Sequence, residues 1–201
     1  LEVDPGTAGT LWLGVDNPGK PALWRSRDRG ATWNVVTDNY SGQMSTLHPV
    51  GYRIAFAPSR PSDIWVPSTN LHYRSRDGGK SWSDFRVENQ DAYAMAVDPQ
   101  NPDIVYAGEY LGIFTQFDRK TGQARNVSAY PENGSGHGAV DLKHRFQWTA
   151  PILISPHDPK TVYHAGEVIF KTSDGGQTWT IISPDLTRND KTKQQWAGGP
   201  I

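Results

Sequence analysis

Three aspartates stand in near-identical surroundings along this chain of 201 residues: Asp28 in SRDRGATW (26–33), Asp77 in SRDGGKSW (75–82) and Asp174 in TSDGGQTW (172–179). A repeated carboxylate beside hydroxyls invites two chemical readings, a catalytic acid or a ligand for a hard cation. Both chemistries need several groups to converge on one point, whereas a repeat spreads equivalent groups apart. The shared pattern, Ser/Thr-x-Asp-x-Gly-x-Thr/Ser-Trp, has instead the chemistry of a turn. The Asp carboxylate accepts backbone N–H groups, with the first-position hydroxyl (Ser26, Ser75, Thr172) close by. The fifth-position glycine (Gly30, Gly79, Gly176) admits positive φ, and the Trp (Trp33, Trp82, Trp179) carries a large apolar surface into the next strand. The boxes are therefore expected to be scaffold.

Outside the boxes, the segment richest in chemistry is 129–147, with Tyr130, Glu132, His137, Asp141, His144 and Arg145, followed by Trp148. A second polar stretch, 37–51, holds Asp38, Tyr40 and His48, and a short turn holds Glu109 and Tyr110. Carboxylates set among aromatic and amide groups are what sugar sites use, and glycoside hydrolysis needs two carboxyls about 5–9.5 Å apart. Asp38, Glu109 and Asp141 are thus the candidate acids. Tyr40, Tyr110, His137, His144, Arg145 and Trp148 are the candidate ligand contacts. Each has a plainer alternative role as a solvated loop charge, a strand cap or packing surface. His137 and His144 are seven residues apart in a glycine-rich loop, which fits no standard metal-ligand spacing. No metal and no cofactor are expected.

The elements that must position these residues follow from the repeat. The first two box aspartates are 49 residues apart and the next gap is 97, about twice as long, which predicts a degenerate copy between them. IFTQFDRKTGQ supplies it, with Asp118 in the aspartate position. An aromatic precedes every copy: Trp24, Tyr73, Phe114 and Phe170. A Pro-containing turn and an apolar–aromatic strand recur in phase upstream, starting at Pro5, Pro58, Pro99 and Pro156. Four units result, at roughly 1–50, 51–91, 92–148 and 149–201. In the third, strands are expected near 92–97, 103–107, 112–117 and 124–128. In the fourth they are expected near 149–155, 160–165, 167–172 and 178–182. Four short strands per repeat of this length is the β-propeller blade pattern, and the class is all-β. Blade topology puts the box turns on one face. The two long polar segments and the second-to-third-strand turns lie on the other, where function concentrates.

Composition bounds the rest. Twenty basic and 21 acidic side chains are scattered along the chain with net charge −1, so no basic stripe suits a phosphate backbone and nucleic acid is not an expected partner. No apolar run approaches the roughly 18 residues of a membrane span. The absence of cysteine excludes disulfides, thiolate metal sites and cysteine nucleophiles. Twenty glycines and 15 prolines disfavour long helices.

At its boxes the sequence resembles the Asp-box, or bacterial neuraminidase repeat, superfamily, which includes sialidases, xyloglucan-cleaving glycoside hydrolases, sortilin-type receptors and a photosystem assembly factor. Residues 113–201, through FDRKTGQARNVS, RFQWTAPILISPHDPKTVYHAG, TSDGGQTW and SPDLTRND, resemble large secreted bacterial proteins labelled glycosyl hydrolase or sortilin-like. LWRSRDRGATW and HYRSRDGGKSW match xyloglucanase-type and sortilin-type blades about equally. The resemblance implies a secreted or periplasmic module that binds or hydrolyses a polysaccharide or glycan on the face opposite the boxes. The alternative is a non-catalytic sortilin-like or assembly-factor-like propeller that grips a protein partner. The arginine triad, Tyr–Glu pair and Arg-Ile-Pro signature of sialidases have no counterparts here, since Arg53-Ile54 is not followed by Pro. Sialidase activity is therefore not expected. Because such families usually close with six or more blades, four units imply further blades or a second chain.

Overall fold

A computed structural model of the protein describes residues 1–15, 22–37, 54–67, 72–85, 94–132, 134, 136–147 and 150–195. Among the described residues, sixteen strands form four antiparallel sheets of four, each a simple meander in chain order. Sheet 1 comprises β1 (Glu2–Val3), β2 (Leu11–Val15), β3 (Ala22–Ser26) and β4 (Asn34–Thr37). Sheet 2 comprises β5 (Ala55–Ala57), β6 (Arg60–Val66), β7 (His72–Ser75) and β8 (Ser83–Phe85). Sheet 3 comprises β9 (Ala94–Val97), β10 (Ile104–Gly108), β11 (Phe114–Asp118) and β12 (Gln123–Asn126). Sheet 4 comprises β13 (Ile152–Ile154), β14 (Val162–Ala165), β15 (Ile169–Thr172) and β16 (Thr180–Ile181). The strands of units three and four fall within two residues or so of the spans read from the repeat, except that β13, β14 and β16 are shorter.

Consecutive sheets stack face to face, because each strand alternates its apolar side chains toward one neighbour and then the other. Trp12 and Leu23 of sheet 1 bury against Ile64, Val66 and Tyr73 of sheet 2 and against Ile54 just before β5. Ala55, Ala57 and Trp65 of sheet 2 meet Met95, Val97, Val105 and Ala107 of sheet 3. Tyr106, Phe114 and Val127 of the third unit meet Ile154 and Val162 of sheet 4. The first strand β9 approaches both β5 and β13 directly, which places the three at the shared inner edge.

The boxes are turns whose polar atoms satisfy one another. In the first, Ser26 Oγ donates to Asp28 Oδ1 at 2.7 Å and accepts the Gly30 N–H at 2.8 Å. Asp28 Oδ1 accepts the Thr32 N–H at 2.8 Å, and Oδ2 accepts the Thr32 hydroxyl at 2.5 Å. Asp77 with Ser81, and Asp174 with Thr178, repeat the arrangement. These bonds, led by the Thr32 hydroxyl, hold the Asp28 carboxyl down at about 2, and the Ser81 and Thr178 hydroxyls hold Asp77 and Asp174 well below the ordinary carboxylate range. In the degenerate copy, Asp118 accepts the Lys120 and Thr121 N–H groups, and Gly122, with φ of 76°, closes the turn.

Each of two boxes also leans on the preceding sheet. Gly79 and Gly176 have φ of +85° and +89°, and a Cβ on either would lie 2.6 Å from a neighbour, Trp12 or Val127. Beside them, Arg25 donates to the Gly78 carbonyl at 3.1 Å and Arg125 to the Gly175 carbonyl at 3.2 Å. Glycine is thus required twice over, by the left-handed backbone and by the close approach.

Candidate functional site

The face opposite the boxes carries a cleft of about 420 Å³, within the range of small-molecule sites. Three segments build it: the approach to β13 (145–147), the β14–β15 turn around Glu167, and the stretch 187–194 after β16. The turn is seated by sterics, since a Cβ on Gly166 would lie 2.8 Å from the Arg145 carbonyl and 3.1 Å from Phe146.

Glu167 is the organiser. It is buried, its Oε1 is 2.6 Å from His144 Nδ1, and its Oε2 accepts the Arg145 backbone N–H at 2.7 Å. Its own N–H donates to the Arg145 carbonyl, and its carbonyl accepts from Leu186. The His144 ring is held further by edge contacts with Tyr130 and Phe170 at 5.1 and 4.9 Å. On the far side of that ring, a cavity of about 10 Å³ has room for a single water.

Arg145 pulls the chain after β16 onto the cleft. Its guanidinium donates to Asn189 Oδ1 at 2.6 Å, Asp185 Oδ2 at 2.8 Å and Thr187 Oγ1 at 2.8 Å. Asp185 is lowered to about 2, chiefly by hydrogen bonds from Thr187 and then by Arg145. Asn189 adopts φ of 48°, a left-handed conformation that Asn tolerates well, and also accepts from the buried Gln194 amide at 2.9 Å. Arg188, Asp190 and Lys193 complete the rim.

Of the residues singled out from sequence, His144 and Arg145 are brought together here, and Arg145 lines the cleft. Glu109 sits half-buried in the β10–β11 turn, its N–H bonded to the Ile113 carbonyl, and Tyr110 follows it in the same turn. Asp141 ends a short 3-10 turn, Ala139–Asp141, and is exposed; neighbouring Val140 donates to the Gln194 carbonyl. His137 is exposed, with its N–H on the Gly134 carbonyl. Neither Glu109, Asp141 nor His137 lines the cleft. Asp38, Tyr40, His48 and Trp148 lie outside the described residues. Among the described residues, no three His, Cys, Asp or Glu side chains gather as a metal-ligand set. Sequence reasoning passed over Glu167 and the 185–194 partners. Glu167 was signalled by a small repeat, Ala-Gly-Glu at 107–109 and again at 165–167.

A cleft of about 340 Å³ also opens on the box side between sheets 3 and 4, where Gln116 engages Tyr106 and Arg125 engages Gly175.

No protein-family model matches the chain. Among curated proteins, the sialidase of Micromonospora viridifaciens is 27% identical over 188 residues, covering 90% of this chain and 25% of that protein. Xyloglucanase Xgh74A of Acetivibrio thermocellus is 24% identical over 220 residues, with 90% and 25% covered. Vacuolar protein sorting/targeting protein 10 of Sordaria macrospora is 41% identical over 71 residues, 35% of this chain and 4% of that protein. The chain therefore spans at most about a quarter of the length of these relatives. Among solved structures, the GH74 xyloglucanase of Xanthomonas campestris superposes with a TM-score of 0.65 at 22% identity, covering 91% of this chain and 29% of that one. YCF48 bound to D1 peptide gives 0.59 at 16%, with 90% and 52% covered. Repeat, sheet order and these likenesses agree on the class: the chain is all-β and consists of four-stranded antiparallel β-propeller blades.

Proposed function

We propose that this chain is a carbohydrate-binding propeller module that holds a polysaccharide segment in the cleft between the β14–β15 turn and residues 187–194. The observation carrying this reading is the cleft's lining: guanidinium, amide and hydroxyl groups held in place by one another, with Arg188 and Lys193 at the rim, around a space the size of a small ligand. Glycan hydroxyls are recognised by such fixed donors and acceptors, and the loss of one charge-assisted bond costs about 1.5–3 kcal/mol. Binding is favoured over hydrolysis because both carboxylates of the cleft serve the fold. Glu167 holds His144 and Arg145, and Asp190 caps the turn at Lys191–Lys193 through Thr192. Similarity to the sialidase and the xyloglucanases supports the substrate class. A secreted or periplasmic location accompanies it, since polysaccharides lie outside the cell.

Titration calorimetry against a panel of plant and bacterial polysaccharides tests the reading. A binder is expected whose affinity falls tenfold or more in Arg188→Ala/Lys193→Ala. Binding by none, or binding indifferent to that pair, sinks it. The cationic rim of Arg188 and Lys193 also suits an acidic peptide, and one solved neighbour, YCF48, is bound to a peptide. Capture of such a peptide with silence on every glycan would favour that second reading.

A further inference from the structure

Sheets 1 and 3 dress the same backbone register with different side chains. In sheet 1, Glu2 pairs with Trp12 and Val3 with Leu11; in sheet 3, Ala96 pairs with Tyr106 and Val97 with Val105. Asp4 and Asp98 therefore stand in equivalent turns, and the N–H of each donates at 3.0 Å, to the Thr10 or the Ile104 carbonyl. In both turns Oδ1 accepts the N–H two residues on, from Gly6 at 2.9 Å or from Gln100 at 2.8 Å. The second oxygen differs. Asp4 Oδ2 accepts the Trp12 indole N–H at 3.0 Å. In sheet 3, where tyrosine replaces that tryptophan, Asp98 Oδ2 has no donor among the described residues.

Tyr106 is 2% exposed, and its hydroxyl is half satisfied. Gln116 Nε2 donates to it at 2.7 Å, and the sense of that bond is fixed. Arg125, which can only donate, holds Gln116 Oε1 at 2.9 Å, so the amide must turn its NH₂ toward the tyrosine. The tyrosine oxygen thus accepts, and its own O–H meets no acceptor among the described residues. Burial first, and the nearby Asp98 charge to a lesser degree, raises the Tyr106 pKa, which keeps the proton in place for donation.

The donor and the acceptor that join directly in sheet 1 are therefore separate in sheet 3, and both line the box-side cleft of about 340 Å³. Both walls of that cleft belong to this chain. Gly175 ties them together, its N–H on the Lys160 carbonyl at 3.1 Å and its carbonyl receiving Arg125 at 3.2 Å. Ile104 and Pro159 add apolar surface. Arg125 and Lys160 balance Asp98 and Asp174 in charge, and both oxygens of Asp174 are occupied by its own box. The Lys160 ammonium has no hydrogen-bond partner among the described residues.

A group that bridges Tyr106 O–H and Asp98 Oδ2 must accept one hydrogen bond and donate another, as an alcohol does. A carboxylate or a phosphate dianion accepts from Tyr106 but has no proton to offer Asp98. One water makes the bridge, but at about 30 Å³ it leaves most of the cleft unfilled. We propose that this cleft binds a neutral saccharide unit through two adjacent hydroxyls. The first accepts from Tyr106 and donates to Asp98 Oδ2; the second accepts from Lys160, and Ile104 and Pro159 cover the C–H face of the sugar ring. The site lies on the opposite face from the cleft beside Glu167 and does not depend on it.

NMR titration of the ¹⁵N-labelled chain with methyl glucoside, methyl galactoside, acetate and inorganic phosphate tests the assignment. At least one glycoside is expected to move the Gly175 N–H and the Gln116 side-chain amide signals, and the two anions are expected to leave them in place. Tyr106→Phe keeps the ring and loses only the hydroxyl, so affinity should fall about tenfold. Lys160→Ala, at an exposed side chain, should weaken binding about threefold. Silence at Gly175 with both glycosides, full affinity in both variants, or shifts caused by the anions and not by the sugars overturns the proposal. The cleft beside Glu167 reports separately through the Asn189 amide, so either site can fail alone.

Discussion

Glu167 bonds His144 Nδ1 at 2.6 Å with one carboxylate oxygen and the Arg145 backbone N–H at 2.7 Å with the other. A carboxylate only accepts, so the imidazole proton resides on Nδ1. A single side chain in a turn thus fixes both the tautomer of one residue and the backbone from which Arg145 reaches residues 185–189.

Glu167→Gln is expected to break that arrangement. An amide presents one acceptor and one donor where two donors arrive, so either the ring or the Arg145 N–H loses its partner. A lost bond of this kind costs about 1–3 kcal/mol. Glycan affinity should fall roughly tenfold in calorimetry, and the His144 ring nitrogen shifts should move in the NMR spectrum. Unchanged ring shifts would show that the carboxylate does not hold the imidazole.

How much of this was legible beforehand depends on the range of the interaction. Box turns close within five residues, so Ser26, Asp28 and Gly30 could be assigned from their spacing alone. The blades followed, because a period of about 50 residues recorded four copies of the same local solution. His144 and Arg145 were legible as residue types, but their partners come from 22 to 44 positions away. No local pattern encodes that meeting; the stacking of β13 to β15 against the chain after β16 creates it. Glu109 and Glu167 stand in the same Ala-Gly-Glu turn of successive blades, but nothing in that turn announces that Glu167 meets a histidine and an arginine brought in from 23 and 22 positions away.

Gly79→Ala and Gly176→Ala should each destabilise the protein far more than Gly30→Ala. All three positions are left-handed, which costs an alanine roughly 1–2 kcal/mol. At Gly79 and Gly176 the added methyl also collides at 2.6 Å with Trp12 or Val127, and overpacking adds about 1–3 kcal/mol. Urea midpoints of the three variants at low micromolar concentration read the difference. Equal losses would mean that the boxes do not pack against the preceding blade.

Asp63 and Arg74 form a hydrogen-bonded ion pair with Asp63 fully buried and Arg74 3% exposed. Removing the acid alone, as Asp63→Ala, leaves a buried guanidinium over the Trp65 ring with Asp103 at 3.9 Å in place of a hydrogen-bonded carboxylate, and about 3 kcal/mol should be lost. Replacing both, as Asp63→Leu/Arg74→Met, should recover most of it, since the pair's desolvation disappears with its attraction. A double variant no more stable than the single one would contradict this account.

His164 sets the acid limit of the fold. It is fully buried, stacked between Phe114 and Phe146 with both centroids 5.0 Å away, and among the described residues neither ring nitrogen has a hydrogen-bond partner. Burial drives its pKa from 6.5 down to about 4, so the fold favours the neutral ring. Between those values the unfolded chain binds a proton that the folded chain does not, and stability rises with pH across that window. The contribution is complete above pH 6.5 and is lost as pH falls toward 4, by an amount on the order of 3 kcal/mol. The box aspartates act in the same direction but lower, below their ordinary value of 3.8. His164→Leu, of similar volume and without a titrating group, should therefore flatten the dependence of unfolding free energy on pH between 4.5 and 6.5 while leaving the steeper loss below pH 4. Denaturant titrations at half-unit pH intervals distinguish the two windows, and a slope in the upper one that persists in the variant would assign it to another group.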